Sequence, residues 1–481
     1  MTHLLLLSLL IAAPQAADLS YAQALEGALV RNPTLIRAEA SASSAEGSLV
    51  SARGAFDPYL NLGADHQSSI SESFSQLGQV ASQTSRNGFN TTLSQFLPTG
   101  TSVNLDWSVD SSTYLYELLE SGMTWEVEEP QRFSTLSANI SQSLLQGHRM
   151  AYNLSAVREA ERSVTRAEAS LVATRLKVVA DTAAAYWSLV TMRELEDIAR
   201  QALEVAQEEG RVVQAMVDAG QLAPVEATRV EAAVVQSRSS LIEAEHGHRA
   251  ASEALAQLLG ADPVELIHAT STPEQPVALS LDDRQVVAAA LEGNPEVLVY
   301  RSSVDSARIA LANAKHARLP ELAVTGGFGV NGYDPSFSEA VAEMFSGDLR
   351  FWTVGADLSV PLGNRADRGS VQQAEASMIQ AQQQLEAMER MVAAQVLAQV
   401  RTVEAGLVRV DLAQANVRLA QATLDAEKAR QREGRAIQKD VLEALRNLSN
   451  AQSGLAQART DYVLALVELG RLQGRIEGLA G

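Results

Sequence analysis

A chain of 481 residues with a formal charge of -20 and a pI near 4.9 lacks the clustered Lys and Arg that a nucleic-acid partner requires. It contains no cysteine, which excludes a disulfide framework, a zinc-thiolate site, a thiol nucleophile and lipidation at an amino-terminal cysteine. Length alone would suggest about three domains, so the division of the chain has to be read from the order of its segments.

Residues 1–17 hold an apolar run from Leu4 to Ala13 followed by Pro14, Gln15, Ala16 and Ala17, the pattern of a secretory signal peptide. Beyond it no run approaches the roughly 18 apolar residues of a membrane helix, so the exported chain would meet a bilayer through some other structure. Residues 19–55 read helical, with Tyr21, Leu25, Ala28 and Leu29 on one face and a break at Asn32-Pro33. Residues 56–146 are rich in Ser, Thr, Gly, Asn and aromatics, and alternate as strands do, for example in Val103, Leu105, Trp107 and Val109. Strand-like runs fall at 59–71, 87–97, 101–112 and 134–145, with a tight turn at Pro98-Thr99-Gly100. Glu117, Glu120, Glu126, Glu128 and Glu129 read as an exposed loop. Residues 148–218 are Ala, Gln, Glu, Arg and Leu with almost no Gly or Pro, a helix of about 70 residues that would span roughly 100 Å. Gly220 interrupts it and helical sequence resumes over 225–259, which makes a hairpin.

A linker over 261–280, with Pro263, Pro273 and Pro276, separates this from a second statement of the same plan. Asn294-Pro295 breaks a helix, strands follow around Leu322 and Val324 and from Val354 to Val360, and helices over 364–433 and 439–473 flank Gly434. Shifted by about 262 positions, Ala28-Leu29, Ser44-Ala45 and Pro58 fall on Ala290-Leu291, Ser306-Ala307 and Pro320. Shifted by about 214, Gly220, Leu255, Leu258 and Gly260 fall on Gly434, Leu469, Leu472 and Gly474. Residues 18–260 and 281–474 are therefore two structural repeats, followed by a short tail, 475–481. The first repeat carries about 48 extra residues. No separate catalytic domain is left over.

Sixteen of the 22 aromatic residues lie in 56–146 and 318–362, which argues against disordered loops there. Two-faced strands with aromatics fit an outer-membrane barrel, and a soluble β-sandwich is the alternative on composition. Closed membrane barrels begin at about eight strands, more than either repeat supplies, so a barrel would be shared among copies of the chain.

In order and doubled, these parts resemble the TolC-like outer-membrane efflux protein family, the outer membrane factors. The resemblance rests on Asn32-Pro33 and Asn294-Pro295, on the helix-to-strand joints Phe56-Asp57-Pro58-Tyr59-Leu60 and Ala317-Arg318-Leu319-Pro320, on the strand-to-helix joints Ser143-Leu144-Leu145-Gln146-Gly147 and Val360-Pro361-Leu362-Gly363, and on the turns around Gly220 and Gly434. It implies an α+β membrane protein: a homotrimeric transmembrane β-barrel continued by a long periplasmic α-helical barrel. Such a duct, set in outer-membrane lipid, passes substrates from an inner-membrane transporter and a periplasmic adaptor in efflux or type I secretion. The hairpin tips, Gly220, Gln221 and Leu222 with Gly434, Arg435 and Ala436, would meet the adaptor. Asp440 and Glu443 fall where the family carries an acidic pair at the periplasmic entrance, and three chains would make a cation-favouring ring; a solvated helix face is the plain alternative. Where some relatives tie the entrance with a tyrosine and an arginine, this chain has Gln431 and Ala436. The extra residues would add two strands, making six per chain against the family's four, either within the barrel or as an external loop.

No enzyme reading has residues to stand on, so no catalytic residue, metal or cofactor is expected. Gly327-Phe328-Gly329-Val330-Asn331-Gly332 has the letters of a dinucleotide fingerprint but lies in a strand segment with no helix opening after it. His246 and His248 are two apart on a helix and do not face each other. The remaining rival is an exported coiled-coil structural protein with a β-rich head and no conduit.

Overall fold

The computed structural model describes residues 18–75, 78–118, 123–126, 131–272, 282–433 and 438–475. The expected leader, Glu120, Glu128 and Glu129, residues 273–280 of the linker, the turn at Gly434, Arg435 and Ala436, and residues 476–481 lie outside these. In chain order the first half runs β1 (Asp18–Leu19), α1 (Tyr21–Arg31), α2 (Pro33–Arg53), β2 (Tyr59–Ser75), β3 (Gly78–Leu97), β4 (Thr101–Leu118), β5 (Met123–Glu126), β6 (Gln131–Ser143), α3 (Met150–Asn153), α4 (Ser155–Asp218) and α5 (Pro224–Leu259). The second runs β7 (His268–Ala269), α6 (Asp283–Gly293), α7 (Pro295–Ala317), β8 (Glu321–Asp334), α8 (Phe337–Ser346), β9 (Leu349–Ser359), α9 (Arg365–Arg432) and α10 (Gln438–Leu472). Two compact units draw on both halves: a helical one of residues 1–43, 165–301 and 384–481, and one of residues 44–164 and 302–383 that contains the large sheet.

The helical unit is organised around a clasp that occurs twice. Asn32 ends α1 through its backbone N–H to Ala28 O (3.0 Å) and caps α2 with Oδ1, which accepts from Thr34 N at 2.9 Å. Its Nδ2 donates to Leu258 O, at the end of α5, at 3.0 Å. Asn294 repeats this: its N–H donates to Ala290 O, Oδ1 accepts from Glu296 N at 2.9 Å, and Nδ2 donates to Leu472 O, at the end of α10, at 3.0 Å. Both asparagines are buried. Each clasp closes on a left-handed glycine after the return helix, Gly260 (φ 61°) or Gly474 (φ 71°). The bonds Ala261 N to Ala256 O and Arg475 N to Gly470 O complete a Schellman turn in each case. A Cβ on Gly260 would lie 3.2 Å from Arg31 O, and one on Gly474 would strike Gly293 O, so only glycine lets the helix end approach so closely.

Among the described residues the unit holds, besides a smaller core of Leu424, Val441, Ala444 and Leu448, two large apolar ones. In one, Tyr21, Leu25 and Ala28 of α1 pack on Val179, Tyr186 and Trp187 of α4 and Leu255 of α5. Burial pushes the Tyr21 hydroxyl up to about 12, against a smaller lowering by Trp187. In the other, Val286 and Ala290 of α6 meet Val392, Val396, Val400, Val403 and Val410 of α9 and Tyr462, Ala465 and Leu469 of α10. This valine stripe gives α9 an 18-residue window apolar enough, by composition, to cross a membrane, contrary to the sequence reading. The buried valines instead pack against α10. Thr191 of α4 and Thr460 of α10 share a buried hydrogen bond at 2.6 Å.

The sheet unit is one antiparallel sheet in the order β2-β3-β4-β6-β8-β9, with β5 paired to β4. All four expected strands of the first half are present and the first three run longer, because β2 pairs with β3 over its whole length, from Tyr59↔Ser94 to Ser75↔Gly78, and β3 pairs with β4 out to Val80↔Leu118. The acidic loop is corrected in part: Glu117 lies in β4 and Glu126 in β5, which folds back with Glu117 opposite Thr124. An unforeseen helix, α8, lies on β8 and β6, and the glycine run of β8 accounts for the fit. A Cβ on Gly332 would strike the α8 backbone at Ala340 and Met344, and one on Gly329 would strike the Phe351 ring. The fingerprint letters thus serve close packing.

Replacing Asn32 by Ala should leave Leu258 O and the first turn of α2 without a partner at a cost of about 1–3 kcal/mol. Asn294→Ala should cost the same, with near-additive loss in the double variant because the two share no partner. Apparent melting temperatures of the purified protein in detergent check both.

Candidate functional site

The sheet has two unlike faces. The pairing registers put Leu60 and Leu62 of β2, Phe89 and Leu93 of β3, Val103, Leu105, Trp107 and Val109 of β4, Leu136 and Ile140 of β6, Val324 and Phe328 of β8, and Trp352, Val354 and Leu358 of β9 on one side. Most of these are exposed, Trp352 and Val354 to 74%. From Val103 to Val109 the band spans seven residues of β4, roughly 20–25 Å along the strand, close to the apolar height of a transmembrane barrel. The opposite side is polar and internally bonded: Thr92 Oγ1 donates to Asp106 Oδ1 at 2.8 Å, Asn139 Nδ2 to Asp106 Oδ2 at 3.3 Å, Thr135 Oγ1 to Asn331 Oδ1 at 3.0 Å, and Arg86 pairs with Asp110 at 2.7 Å. Exposed apolar side chains over polar ones are what a strand between lipid and an aqueous lumen requires.

The sheet's helix-joint end is tightly knit. Asn153 Nδ2 donates to Pro98 O (2.9 Å) and to Gly147 O (2.8 Å), and Ser143 N donates to Gly100 O at 3.0 Å. Gly147 N donates to His316 Nε2 at 3.1 Å. That bond requires a neutral acceptor, and burial, reinforced by His148 and Arg149, holds the His316 pKa below its ordinary value.

Toward the hairpin tip of the helical unit, α4 ends in a third Schellman turn: Gln221 N donates to Met216 O (2.8 Å) and Gly220 N to Val217 O (2.9 Å), with Gly220 at φ 71°. Gln221 is exposed and Leu222 half-buried. Asp440 is half-buried in the first turn of α10 and Glu443 is exposed one turn on. Their first-repeat counterparts, Glu226 and Arg229, form an ion pair at 2.7 Å. The same place thus holds an acid and a base in one repeat and two acids in the other. Sequence reasoning passed over Gln438, which is buried, bonds Gln431 and donates to Glu209 Oε2 of α4 at 2.9 Å, tying the start of α10 to the first hairpin. Its signal is spatial, a glutamine without an apolar neighbour pattern. His248 is buried against Glu196 at 2.7 Å, an intramolecular pair on α5 and α4, and no cluster with metal-binding composition occurs among the described residues.

The family model described as outer membrane efflux protein matches residues 127–261 and 286–475. The chain belongs to the outer membrane efflux protein family. It is 25% identical to the outer membrane efflux protein BepC of Brucella suis over 71% of this chain and 72% of that one. It is 29% identical to the outer membrane protein TolC of Vibrio cholerae over 40% and 43% of the two chains. The fold matches the crystal structure of the Campylobacter jejuni CmeC outer membrane channel with a TM-score of 0.70 at 16% identity, over 94% of this chain and 85% of that one. As a member of this family the chain is a non-enzymatic efflux duct of the outer membrane that extends into the periplasm. Family membership and the apolar sheet face together remove the rival structural protein without a conduit.

Val354→Arg, on the apolar face, should cost about 2–4 kcal/mol in the membrane and deplete the outer-membrane fraction, whereas Thr353→Arg, on the polar face, should insert normally; fractionation and immunoblotting compare them. The lowered His316 pKa makes a second expectation. The neutral form is favoured in the fold, so its contribution is complete above about pH 6.5, the unfolded value, and is lost as pH falls from there through the lowered folded value. Thermal stability should therefore drop over that window, and His316→Gln, which accepts without titrating, should flatten the drop.

Proposed function

We propose that three copies of the chain form the working duct, each entering as two tandem repeats, 18–260 and 281–474. The observation that carries this is the open sheet. Six strands with an apolar face leave β2 and β9 as free edges, and lipid tolerates no unpaired strand edge. Pairing β9 of one copy with β2 of the next satisfies both edges and keeps every neighbour antiparallel. The helical hairpins of three copies would likewise surround one passage. Substrate reaches it from an inner-membrane transporter through a periplasmic adaptor that docks at Gly220, Gln221, Leu222, Gly434, Arg435 and Ala436. Efflux and type I secretion both use such a route.

At the entrance, Asp440 and Glu443 of three copies would form a ring of carboxylates, the i,i+3 spacing placing both on one helix face. The second repeat places a carboxylate, Glu443, where the first has Arg229, the partner of Glu226, which supports this. The purified protein should migrate in detergent as a heat-dissociable trimer and conduct ions across a planar bilayer. A protein that stays monomeric and conducts nothing would overturn the reading. Asp440→Asn with Glu443→Gln should weaken block of that conductance by multivalent cations, while unchanged block would mean that these carboxylates are only a solvated face.

A further inference from the structure

The hairpin of β3 and β4 has no counterpart in the second repeat, and the family match begins only at residue 127, after it. Yet it is central in the sheet. β3 pairs with β2 from Ser75↔Gly78 to Tyr59↔Ser94, and β4 pairs with β6 from Thr101↔Gln142 to Ser112↔Gln131. β2 and β6 do not pair with each other. Any barrel that includes both β2 and β6 therefore includes β3 and β4 between them.

Three further observations place the hairpin in the wall. Its turn is anchored at the joint by Asn153 on Pro98 O, by Ser143 N on Gly100 O and by Gln142 Nε2 on Thr99 O at 3.1 Å. Gly100, at φ 80°, lies so close to Gly147 O that no Cβ would fit. The apolar band crosses the hairpin without a gap through Phe89, Leu93, Leu105 and Trp107, and so does the polar face through Arg86, Thr92, Asp106 and Asp110. An external loop has no reason to carry lipid-facing side chains in register with its neighbours on both sides.

We infer that the transmembrane barrel of this protein has eighteen strands, six from each of three copies, rather than the four per chain of the family pattern. The inference rests on the trimeric reading above. Six is even, so β9 meets the next copy's β2 antiparallel and the up-and-down order closes. Because diameter grows roughly linearly with strand number, the barrel is about 1.5 times as wide as one built from four strands per chain. The outer mouth then takes bulkier cargo than a narrower barrel would pass, and discrimination falls to the periplasmic entrance.

The chain has no native cysteine, so single cysteines report without background. Leu93→Cys, Leu105→Cys, Asn104→Cys and, as the lipid-facing reference on β9, Val354→Cys would be made in the full chain, labelled with a fluorophore and reconstituted in phosphatidylcholine vesicles containing brominated lipid. Reaction with a membrane-impermeant thiol reagent would be followed in parallel, and trimer content by unheated gel migration of the same samples. With trimers present, the labels at 93 and 105 should be quenched as strongly as that at 354 and shielded from the aqueous reagent, while position 104 reacts and is not quenched. Trimers in which 93 and 105 are open to water and unquenched, with 354 still quenched, would overturn the eighteen-strand barrel and leave the trimer standing. Monomers throughout would overturn the trimeric reading itself.

Discussion

One buried asparagine, used twice, sets the geometry on which the helical unit depends. A helix end leaves backbone groups without partners, and three such ends converge at Asn32 and again at Asn294. The residue ends one helix, caps the next and satisfies a terminal carbonyl of the returning hairpin. Aspartate would lose the amide donor and serine the reach. The proline that follows in each repeat fixes φ at the first helical position, where no N–H is needed. Sequence separations of 226 and 178 residues are thereby converted into direct contact in the two halves, and duplication of the sequence becomes duplication of a joint.

The sheet obeys a different constraint, the opposition of lipid and water across a single layer. Nothing in this protein needs to react, so what selection can act on is the character of its surfaces: an apolar band on one face of the sheet and hydrogen-bonded Thr, Asn, Asp and Arg on the other. The dense ties at Pro98, Gly100, Gly147, Asn153 and His316 hold the strands in register where they give way to helix. Gly327, Gly329 and Gly332 in β8 show the same economy of space, since side chains there would collide with neighbouring residues.

Much of this was legible because it is local. Period-two alternation marked the strands, Ala-rich runs the long helices, and Gly220 the hairpin turn, where a left-handed backbone is required. What escaped was non-local. α8 is only ten residues long, and its Ser336 makes no side-chain cap, so little in the sequence announces it. Its support, Gly332 of β8 and Ser134 of β6, becomes visible only once the strands are paired. The extra hairpin was legible as strands, but its central place depends on β2 and β6 each preferring it to the other. The acidic pair Asp440 and Glu443 was legible only through the family resemblance, its i,i+3 spacing adding that both lie on one helix face, whereas a ring is a property of several chains and Gln438 acts through a partner on another helix.

The pairing of β6 with β8 joins Ser143 to Ala323 across the whole first helical hairpin. During synthesis and export the amino-terminal strands emerge long before their partner, and β6 waits with an unpaired edge while some two hundred residues follow. Completion of the sheet is therefore a late, high-contact-order event, and the newly translocated chain is at its most aggregation-prone in the interval.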